Sequence, residues 1–223
     1  MLWGLFPSPG KAQINLAIVQ EIIDGPEVFI EEKQAEVADE ANFGQVVHTA
    51  KSRAGLVFNN GAAGRIGTNA RVTVGQCVEV KRGQVLVSGP VDGCIAGFSV
   101  GVQGTLYIME TEDGETGNIK VLEGTVEVES DDGTTEPVQL TEGEKVSVLG
   151  ELLGPIEEIT AEEFVAIVRG ELFSGFQVPV TPEGALFSIC SRLFPGFNCS
   201  ASLPTPPIPS PPIPGPSVPG LPF

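Results

Sequence analysis

Few residues in the 223-residue chain are placed to do chemistry. The single histidine, His48, has no obvious serine, cysteine or metal-ligand companion nearby, and reads as a surface or partly buried side chain rather than a catalytic one. Glu110 to Gly117, ETEDGETG, carries enough oxygen donors for calcium. It lacks the D-x-[DN]-x-[DN]-G-x5-E loop, so a solvated hairpin tip is the simpler reading. GAAGRIG, from Gly61 to Gly67, has the spacing of neither a dinucleotide fingerprint nor a P-loop, and it lies between strand-like runs. Paired carboxylates carry no signal in a chain with 29 acids. The residues therefore predict a non-enzymatic protein with no cofactor, no metal and no catalytic group.

Cysteine is the next reactive type. Cys77, Cys94, Cys190 and Cys199 fall into two local pairs, and four cysteines allow three connectivities. Local pairing is expected, because each pair sits on one turn-rich excursion. Four buried free thiols are the alternative. No C-x-x-C spacing is present, so a zinc site is poorly supported. Disulfides would imply an oxidising compartment, periplasmic or secreted.

Charge narrows the partners. The net charge is −17, unevenly spread. Between Gly44 and Gly89 stand six basic residues (Lys51, Arg53, Arg65, Arg71, Lys81, Arg82) against Glu79 alone. Between Glu110 and Glu163 stand seventeen acids against Lys120 and Lys145. Such a surface repels nucleic acid and anionic lipid and favours cationic partners or hydrated cations. It also serves simply as a solvated face. One Trp and one Tyr leave little material for a base-stacking platform. Nucleic-acid binding is set aside.

The elements that must position these residues are mostly strands. With 28 glycines and 19 prolines, many turns and few long helices are expected. Residues 14–31 read as two strands around Asp24-Gly25-Pro26, followed by a loop to Asn42. Residues 45–149 form a β-rich block. Within it Asn60-Gly61 predicts a type I′ turn, with Leu56 and Phe58 on one face. VEVKRGQVLVSG (78–89), KVLEGTVEVESDDG (120–133) and LTEGEKVSVLG (140–150) share one pattern. Gly83, Gly124 and Gly143 each precede a period-two valine run: Val85/Val87, Val126/Val128 and Val146/Val148. Glycine at the break suits a tight corner, and Glu127, Glu129 and Ser147 would face water. The fold class is mainly β: a short β-solenoid or a compact roll or sandwich.

After Gly154-Pro155 the period changes. Thr160 with Glu163 makes a capping box, and Phe164, Ile167, Val168 and Leu172 fall at helical spacing. One amphipathic helix within residues 155–173 docks on the β-block. Residues 174–203 are expected to be irregular and closed by Cys190–Cys199, with Asn198-Cys-Ser200 matching a glycosylation sequon. The proline-rich tail, residues 204–223, favours an extended polyproline conformation that serves as a spacer or a ligand for an aromatic groove. At the other end, residues 1–13 read as a flexible start or the remnant of a signal peptide cleaved near Ala12-Gln13. No stretch approaches the ~20 apolar residues of a membrane span.

Taken in order, these segments resemble the FecR domain over roughly residues 40–150. The matching elements are Gly44 to Thr49, the Asn60-Gly61 turn, Arg65-Ile66-Gly67, Gly104-Thr105 and the VLEG run from Val121 to Gly124. Flanking segments resemble the stand-alone cyanobacterial-type members of that iron-citrate regulator family. The resemblance implies an extracytoplasmic β-domain with a short solenoid-like core, spanning residues 14–154. In the founding members such a domain relays a signal from an outer-membrane receptor to a sigma factor. This sequence differs from them in showing no transmembrane helix and no sigma-binding segment, and in adding cysteines and a proline tail. The leading expectation is thus a module that binds another protein or an envelope polymer. A component of iron-responsive signalling, working with a separate membrane protein, is the second. An acidic cation-binding module is the third.

Overall fold

The computed structural model describes residues 14–182 and 184–204. The expected N-terminal segment 1–13 and nearly all of the proline-rich tail lie outside the described residues. In chain order the first strands are β1 (Leu16–Ile23), β2 (Val28–Ile30), β3 (Lys33–Gln34), β4 (Glu40–Asn42), β5 (Val46–Thr49) and β6 (Arg53–Phe58). Next come β7 (Ala63–Ile66), β8 (Arg71–Val74), β9 (Val78–Gly89), β10 (Gly93–Ile95), β11 (Phe98–Val102) and β12 (Thr105–Thr111). The last are β13 (Thr116–Glu123), β14 (Thr125–Ser130), β15 (Val138–Thr141), β16 (Glu144–Leu149) and β17 (Leu152–Glu158). Helices α1 (Ala161–Arg169), α2 (Ala185–Leu193) and α3 (Cys199–Ser202) close the described chain.

All seventeen strands belong to one hydrogen-bonded network, bent into two faces. Pairing across the first face runs β4, β1, β6, β7, β9, β12, β13, β16, β17, antiparallel throughout. Across the second it runs β3, β2, β5, β8, β9, β10, β11, β14, β15, with only β9–β10 parallel. Strand β9 belongs to both. Its first half pairs with β8 and β10, its second half with β7 and β12. The chain thus winds back and forth between the faces, usually two strands at a time.

The repeated glycine-then-valine pattern marks the crossings. Gly83 carries β9 from the second face to the first, Gly124 takes the chain from β13 back to β14, and Gly143 returns it from β15 to β16. Gly104 does the same between β11 and β12. At Gly83 the backbone has φ +80°, and a Cβ would sit 2.5 Å from that of Ala70. Only glycine fits a corner that is both left-handed and this close to a neighbour.

Period-two valines then do what alternation dictates. Val85 and Val87, Val126 and Val128, and Val146 and Val148 all point into one core between the faces. Strand β12 is buried on both sides: Tyr107 and Met109 enter that core, while Leu106 and Ile108 enter a second cluster beneath the helices. Leu86 and Leu122 join them from the sheet, and Ile159, Phe164, Val168, Leu172, Val180, Ile189, Cys190 and Cys199 complete the second cluster. The first face therefore lies between the second face and a helical layer.

Three expectations change. Asn60 does not take positive φ; the amide of Gly61 (φ +83°) donates to the Phe58 carbonyl at 2.8 Å, and the Phe58 amide to the Ala62 carbonyl at 2.8 Å. This is a type I turn closed by a left-handed glycine, a four-residue connection rather than a type I′ pair. Residues before Asn42 include the short strands β3 and β4, because β2 and β1 each leave an open side for them. The segment 174–203 is not irregular throughout but holds α2 and α3. Ile189 and Cys190 face inward on α2, with Leu186 and Leu193 packed beside them, a helical stripe obscured by flanking Gly, Pro and Phe.

Candidate functional site

Both cysteine pairs are joined. Cys77–Cys94 links the turn after β8 to the middle of β10, and Cys190–Cys199 links α2 to α3. His48 lies on the outer side of the second face, stacked on Phe29 with ring centroids 4.9 Å apart, its Nε2 2.8 Å from the Glu31 carbonyl oxygen. Asp113, at the tip of the β12–β13 hairpin, accepts from the amides of Glu115 (2.9 Å) and Thr116 (2.8 Å), which hold its carboxyl below its usual range. Its oxygens are occupied by the turn itself. A cleft of about 530 Å³ lies between Ile22, Pro26, Gln34, Glu36 and Val37. It gathers only one titratable side chain.

A buried arginine pair, not singled out by its sequence spacing, fastens the C-terminal segment to the first face. Arg53 on β6 donates to Asp24 at 2.5 Å, to the carbonyl of Glu171, and to that of Ser174 at 2.8 Å. Arg65 on β7 donates to the carbonyls of Leu172 (2.9 Å) and Val178 (2.8 Å). Its guanidinium carbon lies 4.3 Å from the centre of the Phe176 ring. Burial pushes the Arg65 pKa down to about 10, so it is still charged at neutral pH. Glu21 on β1 receives the amides of Gln177 (2.8 Å) and Val178 (3.1 Å), and Glu171 receives both the amide and the hydroxyl of Thr68. A turn-rich segment with no ladder of its own has its backbone groups satisfied by side chains from three strands. The usable signal was a glycine two residues after each arginine: Gly55 and Gly67 leave room for Phe176 and Glu171.

The strongest surface feature is the acidic end of the first face. Its two lysines are spent internally. Lys120 and Lys145 stand opposite each other on β13 and β16, a like-charge neighbour pair. Glu163 on α1 lies between them, 2.7 Å from Lys145 and 3.9 Å from Lys120, while Glu110 takes Lys120 at 2.8 Å. Glu163 therefore uses its side chain to latch α1 onto the sheet, while its amide donates to the Thr160 hydroxyl at 3.1 Å. Bonding to Glu163 raises the Lys145 pKa above its ordinary value. Arg192 of α2 is likewise engaged, with Glu142 at 2.6 Å.

Beyond this network the end is acidic and partly greasy. Leu149, Leu152 and Ile156 are 58, 66 and 46% exposed. Glu115, Glu151 and Glu158 stand in or next to this region, and among the described residues no cation bridges any of them. On the second face the charge divides across the strand order, with Arg71, Lys81 and Arg82 exposed on β8 and β9 and Glu127 and Glu129 exposed on β14. Such an arrangement offers recognition by shape and charge.

No protein-family model matches the chain, and no curated protein matches it. Two crystal structures of a protein described as a "putative anti-sigma factor" from Parabacteroides distasonis ATCC 8503 have similar folds in part. One aligns with 14% identity and a TM-score of 0.46, over 54% of this chain and 62% of the other. The second aligns with 14% identity and a TM-score of 0.47, over 56% and 64%. The chain thus spans less than two thirds of the length of either. Among the described residues no helix is long and apolar enough to cross a membrane.

Proposed function

We propose that this chain is a non-enzymatic, extracytoplasmic binding module that recognises another protein through the acidic end of its first face. The carrying observation is the exposure of Leu149, Leu152 and Ile156 within eight residues, next to carboxylates that no cation among the described residues bridges. Leu149 and Leu152 face each other across the β16–β17 ladder and Ile156 lies on the other side of the same edge strand; apolar side chains grouped along one exposed edge and rimmed by polar ones mark interaction surfaces. Two disulfides suit an oxidising compartment. The resemblance to the FecR domain supports the same placement outside the cytoplasm, and an apolar patch suits a protein better than a hydrated polymer.

The test is a crosslinked pull-down from native envelope extract with the full-length chain and with Leu152→Ser/Ile156→Ser. Both changes are at exposed positions, where substitutions shift stability by only about 0.5 kcal/mol. The reading expects a specific protein recovered by the parent chain and lost with the double variant. Recovery of nothing by the parent would overturn it. Recovery of a membrane regulator would assign the module to signalling; recovery of a structural envelope protein would assign it to architecture.

A further inference from the structure

Strand β17 ends the first face. It pairs with β16 and with no other strand among the described residues. The Ile159 amide donates to the Gly143 carbonyl at 2.7 Å, which fixes the phase of the ladder. Opposite residues in an antiparallel pair alternate between bonded and non-bonded. With Glu157 opposite Lys145, Ile156 opposite Val146 and Glu158 opposite Glu144, the Glu157 backbone turns toward β16. The amides and carbonyls of Ile156 and Glu158 then turn outward, to the open edge.

Pro155 lies in this strand, and a proline facing the open edge would close it against pairing. Its position says otherwise. The β16–β17 register shifts between Val146 and Val148, so Gly154 and Pro155 together oppose Ser147 in a bulge. The missing amide of Pro155 is absorbed in the bulge and removes no donor at Ile156 or Glu158. Three residues of extended backbone, Ile156 to Glu158, follow it with side chains exposed.

The side chains name the occupant. Glu158 faces Glu144 directly across the ladder, and Glu144 is already bound to the amide (2.6 Å) and hydroxyl (2.9 Å) of Thr141. Like charges directly opposite destabilise a sheet. Lys145 is held by Glu163 and lies 3.8 Å from Glu157, so the edge has no cation to spare. A second copy of the chain would bring Glu151, Glu157 and Glu158 against the same three acids, in a molecule of net charge −17. Self-pairing is disfavoured. An incoming strand with lysine or arginine at alternate positions would neutralise Glu158 and lay their aliphatic stems over Ile156, which shares that side of β17, and apolar residues between them would lie on the side of Leu152.

We infer that the open edge of β17 is a docking strand that adds an extended, basic segment of a partner protein to the first face. This rests on the protein-binding reading above and specifies its mode. Main-chain bonds supply affinity in such additions, and alternate side chains supply selectivity.

The test uses the full chain, ¹⁵N-labelled, and three capped decapeptides: alternating Lys-Val, alternating Glu-Val, and all-Lys. With Lys-Val, amide exchange at Ile156 and Glu158 should slow about tenfold or more, while Glu157, already bonded to β16, stays unchanged. Glu-Val should have no effect. The all-Lys peptide should shift the backbone amide signals around Glu151 and Glu157 without slowing exchange at Ile156 and Glu158. Ile156→Pro removes an outward donor and leaves the β16 ladder intact; it should weaken Lys-Val binding about tenfold. Glu158→Lys should reverse the preference between the Lys-Val and Glu-Val peptides, and serves if the proline variant folds poorly. Absence of protection at Ile156 and Glu158, or equal protection by all-Lys, overturns the inference. A pull-down partner retained by Ile156→Pro would also overturn it and leave the protein-binding reading standing; an empty pull-down strikes that reading alone.

Discussion

Arg65 and Phe176 meet with 4.3 Å between guanidinium carbon and ring centre, across 111 positions of sequence. The same guanidinium donates to two carbonyls of the segment it holds down. Cation–ring attraction grows as the pair is desolvated, and Arg65 is among the buried polar residues. Three functions of one side chain thus converge on a segment that has no strand of its own.

Removing that side chain should release the segment. Arg65→Ala leaves two part-buried carbonyls without donors and a hole beneath Phe176, for a loss of about 2–4 kcal/mol in urea unfolding. Arg65→Lys should recover less than half of it, because an ammonium cannot span both carbonyls and stack. Hydrogen exchange should show faster opening around 171–180 well before β9 or β12 responds.

Corner glycines offer a paired test. At Gly83 an added Cβ meets Ala70 at 2.5 Å with φ +80°; at Gly133 φ is +68° but nothing lies within 4 Å. Gly133→Ala should cost about 1–2 kcal/mol, the left-handed penalty alone. Gly83→Ala should cost about 2–5 kcal/mol, since overpacking adds to that penalty. Equal losses in thermal or urea unfolding would mean that the corner relaxes.

These corners are also where the sequence was most legible. Glycine followed by alternating valines is a local pattern, and at Gly83, Gly124 and Gly143 the local requirement decides the structure. The α1 helix was legible for the same reason, through Thr160 as cap and Phe164 and Val168 as inward face. Arg53 and Arg65 were not, because their carbonyl partners lie 107 to 121 residues downstream. Nor was the open edge of β17: alternation shows which side chains share a face, but which strand is last depends on the whole order of pairing.

Asp24 supplies a pH dependence with a definite sign. The hydrogen bond from Arg53 is the main cause holding its carboxyl below the ordinary value of 3.8. The folded state therefore favours the charged form. Its contribution is complete above pH 3.8 and disappears as pH falls through the lower, folded-state value. Asp24→Asn should be less stable than the parent at neutral pH, and should lose less of its stability on acidification below 3.8. Parallel slopes for the two proteins in acid unfolding would contradict the pairing.

The two disulfides should respond differently to reductant. Cys190 and Cys199 are buried in the cluster beneath the helices, while Cys77 and Cys94 are only partly buried on the second face. Thiol exchange requires access for the attacking thiolate, so mild reductant should open Cys77–Cys94 first. That bond closes a separation of 17 residues, and Cys77→Ser/Cys94→Ser should cost about 3 kcal/mol. The order is read by alkylation and mass mapping over a reductant series. Early labelling of Cys190 and Cys199 would show that the α2–α3 segment opens locally before the second face does. In that case its cover on Leu86, Leu106 and Ile108 is the weakest part of the fold, and Arg65→Ala should advance the labelling of these two cysteines further.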